Sequence, residues 1–247
     1  MLRIALLVLL ASCAYPRRST PLSPVRQNVS GAPGNVVRIE FQGADIPGRD
    51  RGGQPWDDDD SGPDVLLRVI RGDTTIYESS VQQDTLTPSF GAPSDNLYLP
   101  SAANVRIELW ESDGRLRETI IGSWRGRGMP PGALVGADAR LILEGNATLA
   151  FRVLPPQAQR GTGIPEYEVR GDVLRVLEVI RFSPAGRADL RAGDEILAID
   201  DQSIQQLGDR AFGALSMAGS RRSRIRFRRG TDEREAVLDG GFVWDAR

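Results

Sequence analysis

The chain has 247 residues, of which 40% are hydrophobic and 26% are charged, and this suits one large or two ordinary globular domains. Its 31 basic and 33 acidic residues give a formal net charge of −2, which argues against a chain-wide attraction to nucleic acid or to an anionic membrane. The sequence contains no His, and every basic residue is Arg. Ser–His and Cys–His pairs, Ser–Lys dyads, Schiff bases and imidazole metal ligands are therefore excluded, and we expect a protein that is not an enzyme.

The first residues have the pattern of a secretory signal. Arg3 precedes an apolar run at residues 4–10, which is too short to cross a bilayer, since a crossing needs ~20 residues. The run ends in Leu-Ala-Ser-Cys at residues 10–13, which resembles the lipobox of bacterial lipoproteins. This resemblance implies that residues 1–12 are a signal peptide and that Cys13, the single Cys of the chain, receives the lipid. An ordinary signal peptide with an incidental Cys is the alternative.

The lipobox resemblance also carries expectations about location. One acyl chain gives only marginal membrane binding, whereas the two or three chains of such lipoproteins give a nearly permanent anchor. Ala14 follows the Cys, which in enterobacterial-type sorting favours the outer membrane, so the resemblance implies a lipid-anchored protein of the bacterial cell envelope that faces the periplasm. Residues 13–34 are rich in Pro, Ser, Gly and Arg and predict a flexible tether with nothing to bury.

The middle of the chain, residues 35–154, alternates between apolar and polar residues with a period of two, which predicts an all-β sandwich. Turn residues bound the runs, which lie at residues 36–41, 65–70, 105–110, 139–143 and 147–153. Three further stretches are distinctive: Pro-Asp-Val-Leu-Leu at 63–67, Asp-Thr-Leu-Thr-Pro-Ser-Phe at 84–90, and Ile-Glu-Leu-Trp-Glu-Ser-Asp at 107–113 with Ile-Ile-Gly at 120–122. In order and spacing these features resemble a C2 domain, the calcium- and lipid-binding sandwich of kinase C and synaptotagmin.

The C2 resemblance implies a possible Ca²⁺ site, with Asp58, Asp64, Glu111 and Asp113 as the candidate metal ligands. Ca²⁺ needs several oxygen ligands at ~2.3–2.6 Å, and the family supplies them from two loops at one end of the sandwich. Asp58 belongs to a run of four Asp whose register is open, Glu111 stands where the family has Asp, and no fifth carboxylate is evident. A solvated acidic loop is the alternative.

The same loop contains Asp-Ser-Gly at residues 60–62, which matches the turn of aspartic proteases. That chemistry requires an apolar strand before the catalytic Asp and a second such turn, so that two carboxylates share a proton. Here Trp56 and three Asp precede the turn, and the chain has no second one. We therefore exclude this activity.

After a linker at residues 155–160, residues 161–240 predict a compact unit of short strands with two helices, followed by a tail at 241–247. Val-Leu-Glu-Val-Ile-Arg-Phe-Ser-Pro-Ala at 176–185 and Ala-Asp-Leu-Arg-Ala-Gly-Asp-Glu-Ile-Leu-Ala-Ile-Asp at 188–200 closely resemble the PDZ motif. Within them, Ser183 and Pro184 predict the start of a helix. The expected fold is therefore mainly β, with an all-β C2-like sandwich followed by a small α+β PDZ domain.

The PDZ resemblance implies a peptide-binding groove. Gly161, Thr162, Gly163 and Ile164 fit the Gly-Φ-Gly-Φ loop whose backbone N–H groups bind a terminal carboxylate, although a plain turn explains them equally well. Residues 166–169 would then pair with an incoming peptide.

The opposite wall of this groove would come from a second helix at about residues 207–217. Helical spacing places Phe212 and Leu215 at its rim as peptide-binding residues, with Asp209 as a further candidate. Core packing explains the two apolar residues equally well.

Six Arg lie between residues 221 and 229 around Ile225 and Phe227. The alternation favours a half-buried strand with an Arg face over a basic patch for nucleic acid or lipid.

Together the patterns favour a lipid-anchored envelope adaptor that binds peptide segments or protein C-termini, with a sandwich that binds calcium, lipid or a protein partner, and with no nucleic acid. A regulatory or substrate-recruiting accessory of an envelope protease is the alternative, and a purely structural envelope protein is a third.

Overall fold

A computed structural model describes residues 15–26, 29–57, 61–112 and 118–246, and the candidate residues Cys13, Asp58 and Asp113 lie outside these ranges. The chain divides into two compact units. The sandwich unit contains Pro24–Gln159 and Trp244–Arg247, and the mixed unit contains Met1–Ser23 and Arg160–Val243. In the ranges given above, no helix has the length and apolar character needed to cross a membrane.

Strands dominate the secondary structure. They are Arg17–Ser19 (β1), Ser23–Pro24 (β2), Val36–Asp45 (β3), Val65–Arg71 (β4), Thr74–Glu78 (β5), Leu97–Tyr98 (β6), Asn104–Ser112 (β7), Glu118–Arg127 (β8), Asp138–Ile142 (β9), Thr148–Leu154 (β10), Gln159–Arg160 (β11), Glu166–Arg170 (β12), Val173–Val176 (β13), Glu195–Ile199 (β14), Gln202–Ser203 (β15), Ser223–Arg229 (β16), Asp232–Leu238 (β17) and Phe242–Val243 (β18). The helices are Pro184–Arg187 (α1), Ile204–Leu207 (α2) and Ala211–Ala218 (α3), with a 3₁₀ turn at Gly208–Arg210.

The sandwich unit is built from two antiparallel four-stranded sheets, with strand orders β6-β3-β10-β9 and β5-β4-β7-β8. Alternate residues of the long strands point inwards, and Phe41, Leu67, Leu109 and Phe151 are completely buried. The period-2 runs of the sequence therefore form the core, and the predicted all-β sandwich is confirmed.

The mixed unit contains a seven-stranded sheet with the strand order β1-β12-β13-β14-β16-β17, to which β15 adds beside β14. Ser183 caps α1 by accepting a hydrogen bond from the Gly186 N–H at 3.0 Å, and Pro184 occupies the first turn, as the sequence predicted. Ile196, Ile225 and other apolar strand residues form the core. This confirms the predicted α+β unit.

The structure differs from the sequence prediction in three places. Part of the predicted flexible tether forms β1, and Thr20 is only 5% exposed. The predicted tail contains β18 and the buried Trp244. The second helix begins earlier than predicted and is interrupted by the turn at Gly208, whose φ is +52°.

Candidate peptide-binding groove

A cavity of about 720 Å³ lies in the mixed unit between strand β12 and the helices α2 and α3. Tyr167 and Val169 of β12 and Leu174 of β13 line one wall, and Ile204 and Phe212 line the other. Apolar walls around an open cavity of this size are typical of a ligand site.

The rim of the cavity is polar and carries both signs of charge. Arg18 from β1 contributes a guanidinium group, while Asp172 and Asp209 contribute carboxylates. These groups can orient a bound segment, and the apolar walls can receive its side chains.

Tyr167 is the most unusual residue of the cavity wall. Its side chain is 1% exposed, and its hydroxyl has no hydrogen-bond partner among the residues that the structure describes. Burial raises the pKa of this hydroxyl, and the nearby positive charge of Arg18 opposes the rise in part. Leaving a buried hydroxyl without a partner costs ~1–3 kcal/mol, so this group lowers the stability of the mixed unit.

One edge of β12 is paired with β1, a strand from the start of the chain. The pairing is antiparallel and sets Arg17 opposite Glu168 and Arg18 opposite Tyr167. Next to these pairs, the Val169 N–H donates to the Pro16 carbonyl at 3.1 Å. Within the mixed unit, β1 thus lies where an added peptide strand would lie.

The segment continues from β1 across the start of β12. The Thr20 N–H donates to the Pro165 carbonyl at 3.2 Å, and the Thr20 hydroxyl donates to the Ile164 carbonyl. Leu22 then packs so closely on Gly161 that a Cβ at this glycine would come within 2.6 Å of its Cδ2 atom.

The predicted carboxylate-binding loop at residues 161–164 is folded tightly. Gly163 has φ +80°, and a Cβ there would overlap Ser183, so both backbone conformation and space require glycine. Thr162, Gly163 and Ile164 are buried, and the Ile164 N–H donates to the Thr162 hydroxyl at 3.3 Å. Binding of a carboxylate by this loop stays a prediction.

The two predicted rim residues of the helix have different positions. Phe212 lines the cavity and is 37% exposed, whereas Leu215 is fully buried in the core of the mixed unit. Leu215 therefore belongs to the packing alternative, because α3 turns that face towards the sheet. Asp209 lies at the rim, in the turn between the helices.

Sequence reasoning placed residues 166–169 on the strand that pairs with a peptide but did not single out Tyr167 and Val169 as wall residues, and it missed Leu174 and Ile204. The alternation of Tyr167 and Val169 directly after the Gly-rich loop was the available signal for the strand wall.

Two of the four candidate calcium ligands lie in the described part of the chain. Glu111 is 4% exposed and accepts a hydrogen bond from the Asp64 N–H at 3.1 Å through Oε1. Asp64 accepts one from the Asp84 N–H at 3.0 Å through Oδ1. Within the ranges described, no three acidic or Cys side chains lie together as a metal-binding group. The metal site therefore stays a prediction.

The Arg-rich strand β16 alternates as predicted, with Ile225 and Phe227 buried and Arg224 and Arg226 exposed.

Several cations of this region face carboxylates. The ion pairs join Arg221 to Asp200 at 2.8 Å, Arg224 to Asp201 at 3.1 Å, Arg228 to Glu195 at 2.5 Å and Arg229 to Asp194 at 2.8 Å.

Comparison with known families identifies residues 175–229 as a PDZ domain. The matched range includes the helical wall of the cavity, while the loop at 161–164 and strand β12 lie before it. No curated protein matches the chain in sequence.

Solved structures similar to the chain include C2 domains. One structure of a C2 domain is 16% identical, with a TM-score of 0.35, and the match covers 48% of this chain and 97% of that one. A calcium-bound structure of the paired C2 domains of extended-synaptotagmin 2 is 19% identical, with a TM-score of 0.38 and coverage of 54% and 49%. Human GIVD cytosolic phospholipase A2 is 9% identical, with a TM-score of 0.37, and the match covers 65% of this chain but only 21% of that enzyme.

Proposed function

We propose that this protein is a non-enzymatic, membrane-anchored lipoprotein adaptor whose PDZ domain binds extended peptide segments or protein C-termini. PDZ domains generally bind such segments by adding them as a strand beside a groove. The absence of His and Lys and the lipobox-like residues before Cys13 support the non-enzymatic and membrane-anchored parts of this proposal.

The observation that carries the proposal is the cavity beside β12. The edge of β12 that β1 occupies here lies next to the apolar walls of this cavity. Main-chain hydrogen bonds along the edge provide affinity, and a side chain in the cavity provides specificity. This arrangement suits an extended segment better than a compact small molecule.

The sandwich unit has the second role in this proposal, which is to bind calcium, a lipid head group or a protein partner. Anchored through Cys13 in the bacterial envelope, the two units would bring a captured protein to the membrane surface.

The proposal is tested by screening the full chain against a library of C-terminal and internal peptides, with and without Ca²⁺. Phe212→Ala removes an aromatic wall of the cavity and is expected to weaken the best peptide about tenfold or more, because a central aromatic contact carries much of the binding energy. Met217→Ala is the matched control, since Met217 lies on the same helix, is 55% exposed and does not line the cavity. Absence of peptide binding, or equal weakening by both variants, would contradict the proposal.

A further inference from the structure

We infer that the segment at residues 15–22, here called the N-terminal segment, is an internal ligand of the groove that a partner segment must displace. This inference rests on the proposed peptide-binding function. It adds that the chain regulates its own binding edge, and it specifies what an incoming segment must supply.

The first line of support is that the N-terminal segment binds as a peptide strand would. It pairs antiparallel with β12 over three consecutive residues, and backbone hydrogen bonds at Pro16 and Thr20 extend the pairing at both ends. Hydrogen-bonded and non-hydrogen-bonded pairs alternate along an antiparallel ladder. Because backbone hydrogen bonds lie at Pro16 and at Thr20, the residue midway between them, Arg18, forms a hydrogen-bonded pair with Tyr167.

Side chains add to this attachment outside the ladder. Arg17 forms an ion pair with Glu168 at 3.8 Å, and the guanidinium of Arg170 lies 4.7 Å from the ring centre of Tyr15. The Arg17 side chain is 71% exposed, so its ion pair contributes little. The N-terminal segment is therefore held mainly through its backbone.

The second line of support is that this internal ligand fills the groove incompletely. All three residues of β1 are exposed, and only Arg18 lines the cavity. The cavity of about 720 Å³ remains open beside the segment, and the Tyr167 hydroxyl remains without a partner in the described chain. The N-terminal segment thus makes the backbone contacts of a bound peptide but does not make the side-chain contacts that the cavity offers.

An incoming segment that has an apolar side chain at the position of Arg18 would make both the backbone contacts and the contacts of the cavity. Such a segment competes with residues that are held next to the groove by the chain itself. Its apparent affinity is therefore its intrinsic affinity multiplied by the fraction of molecules in which the edge is open.

The test compares two proline variants of the full chain. Arg18→Pro removes an N–H from a hydrogen-bonded position of the ladder, and Ser19→Pro makes the same chemical change at the neighbouring, non-hydrogen-bonded position. The probes are a labelled synthetic peptide with the sequence of residues 15–22 and a second peptide in which the residue at position 18 is Leu.

We expect Arg18→Pro to bind both peptides about tenfold more tightly than the wild-type chain or Ser19→Pro, and the Leu peptide to bind more tightly than the native one. Hydrogen exchange at the Val169 amide, which is bonded to Pro16, should accelerate in Arg18→Pro alone. Its protection in the wild-type chain should not depend on protein concentration, because the ligand is in the same molecule.

Equal affinities in all three proteins, with an unprotected Val169 amide, would overturn the inference and leave the peptide-binding function intact. Protection of Val169 that rises with concentration would also overturn it, in favour of strand exchange between two copies. If neither these peptides nor any library peptide binds to any variant, the proposed function fails and the inference fails with it.

Discussion

Strand pairing differs sharply between the two units. In the sandwich unit, β7 is paired over seven residues with β4 and over nine with β8. In the mixed unit, β12 is paired over four residues with β13 and over only three with β1. The sandwich is thus held by long ladders, and the edge of the groove is closed by a short one.

The side chains reinforce this difference. Successive strands of the sandwich bury large residues such as Phe41, Leu109 and Phe151, whereas every residue of β1 is exposed. Loss of a sandwich strand would expose a hydrophobic core, but loss of β1 would expose mainly backbone groups that water can satisfy. Local opening should therefore be far easier at the groove than in the sandwich.

The largest expected effect tests the sandwich side of this comparison. Phe151→Ala should lower the free energy of unfolding of the sandwich unit by about 3–5 kcal/mol, because it leaves a cavity in a core where Phe151 is completely buried. Urea unfolding followed by tryptophan fluorescence measures this unit alone, since all four Trp of the chain belong to it.

Ile142→Ala is the control, because Ile142 lies in β9 of the same unit and is 74% exposed. It should change the free energy of unfolding by no more than about 0.5 kcal/mol. A loss for Phe151→Ala below about 1 kcal/mol would show that the sandwich core is less closely packed than the comparison requires.

The second prediction concerns the groove, where a substitution should raise the free energy of unfolding instead of lowering it. Tyr167→Phe should raise the free energy of unfolding of the mixed unit by about 1 kcal/mol in the absence of peptide, because it removes a buried hydroxyl that has no partner among the described residues. Native-state hydrogen exchange in strand β16 measures the change.

Tyr77→Phe, in strand β5 of the sandwich unit, serves as the control and should leave exchange in β16 unchanged. If Tyr167→Phe destabilises the mixed unit instead, the hydroxyl makes a stabilising hydrogen bond before any ligand arrives.

The smallest expected effect is the dependence of stability on pH. Arg68 makes two hydrogen bonds to Glu118, at 2.6 and 2.9 Å, and these lower the pKa of that carboxyl. A carboxyl with a lowered pKa in the folded state adds stability above its unfolded pKa of ~4.3, and this stability is lost as the pH falls through the lower, folded value.

The free energy of unfolding of the sandwich unit should therefore decrease below about pH 4. Glu118→Gln should reduce this acid-dependent loss, by less than about 1 kcal/mol since Glu118 is 43% exposed. Identical pH profiles for the variant and the wild-type chain would show that Glu118 does not contribute to the pH dependence of stability.

Sequence patterns predicted those elements whose signal is local. Ser183 and Pro184 identified the start of α1, and the alternation around Ile225 and Phe227 identified a half-buried strand. In both cases residues within one turn or one strand contain the full signal.

Non-local pairing explains what the sequence analysis missed. Arg17–Ser19 is short, polar and flanked by Pro16 and Pro21, so its composition suits a loose tether. Its partner strand Glu166–Arg170 lies about 150 residues away, and no periodicity within either segment shows that they pair. The Tyr167 hydroxyl, which has no partner among the described residues, was equally hidden, since its burial depends on packing between segments that are far apart in the sequence.

The position of β1 also determines how much free chain follows Cys13. Tyr15 is two residues from Cys13, a contour of at most about 7 Å, so the lipid proposed for Cys13 would hold the paired mixed unit almost against the bilayer. Release of the nine residues from Tyr15 to Ser23 would add about 30 Å of free chain between Cys13 and Pro24. Exchange of one short strand would then couple peptide capture to the length of free chain that follows the lipid anchor proposed at Cys13.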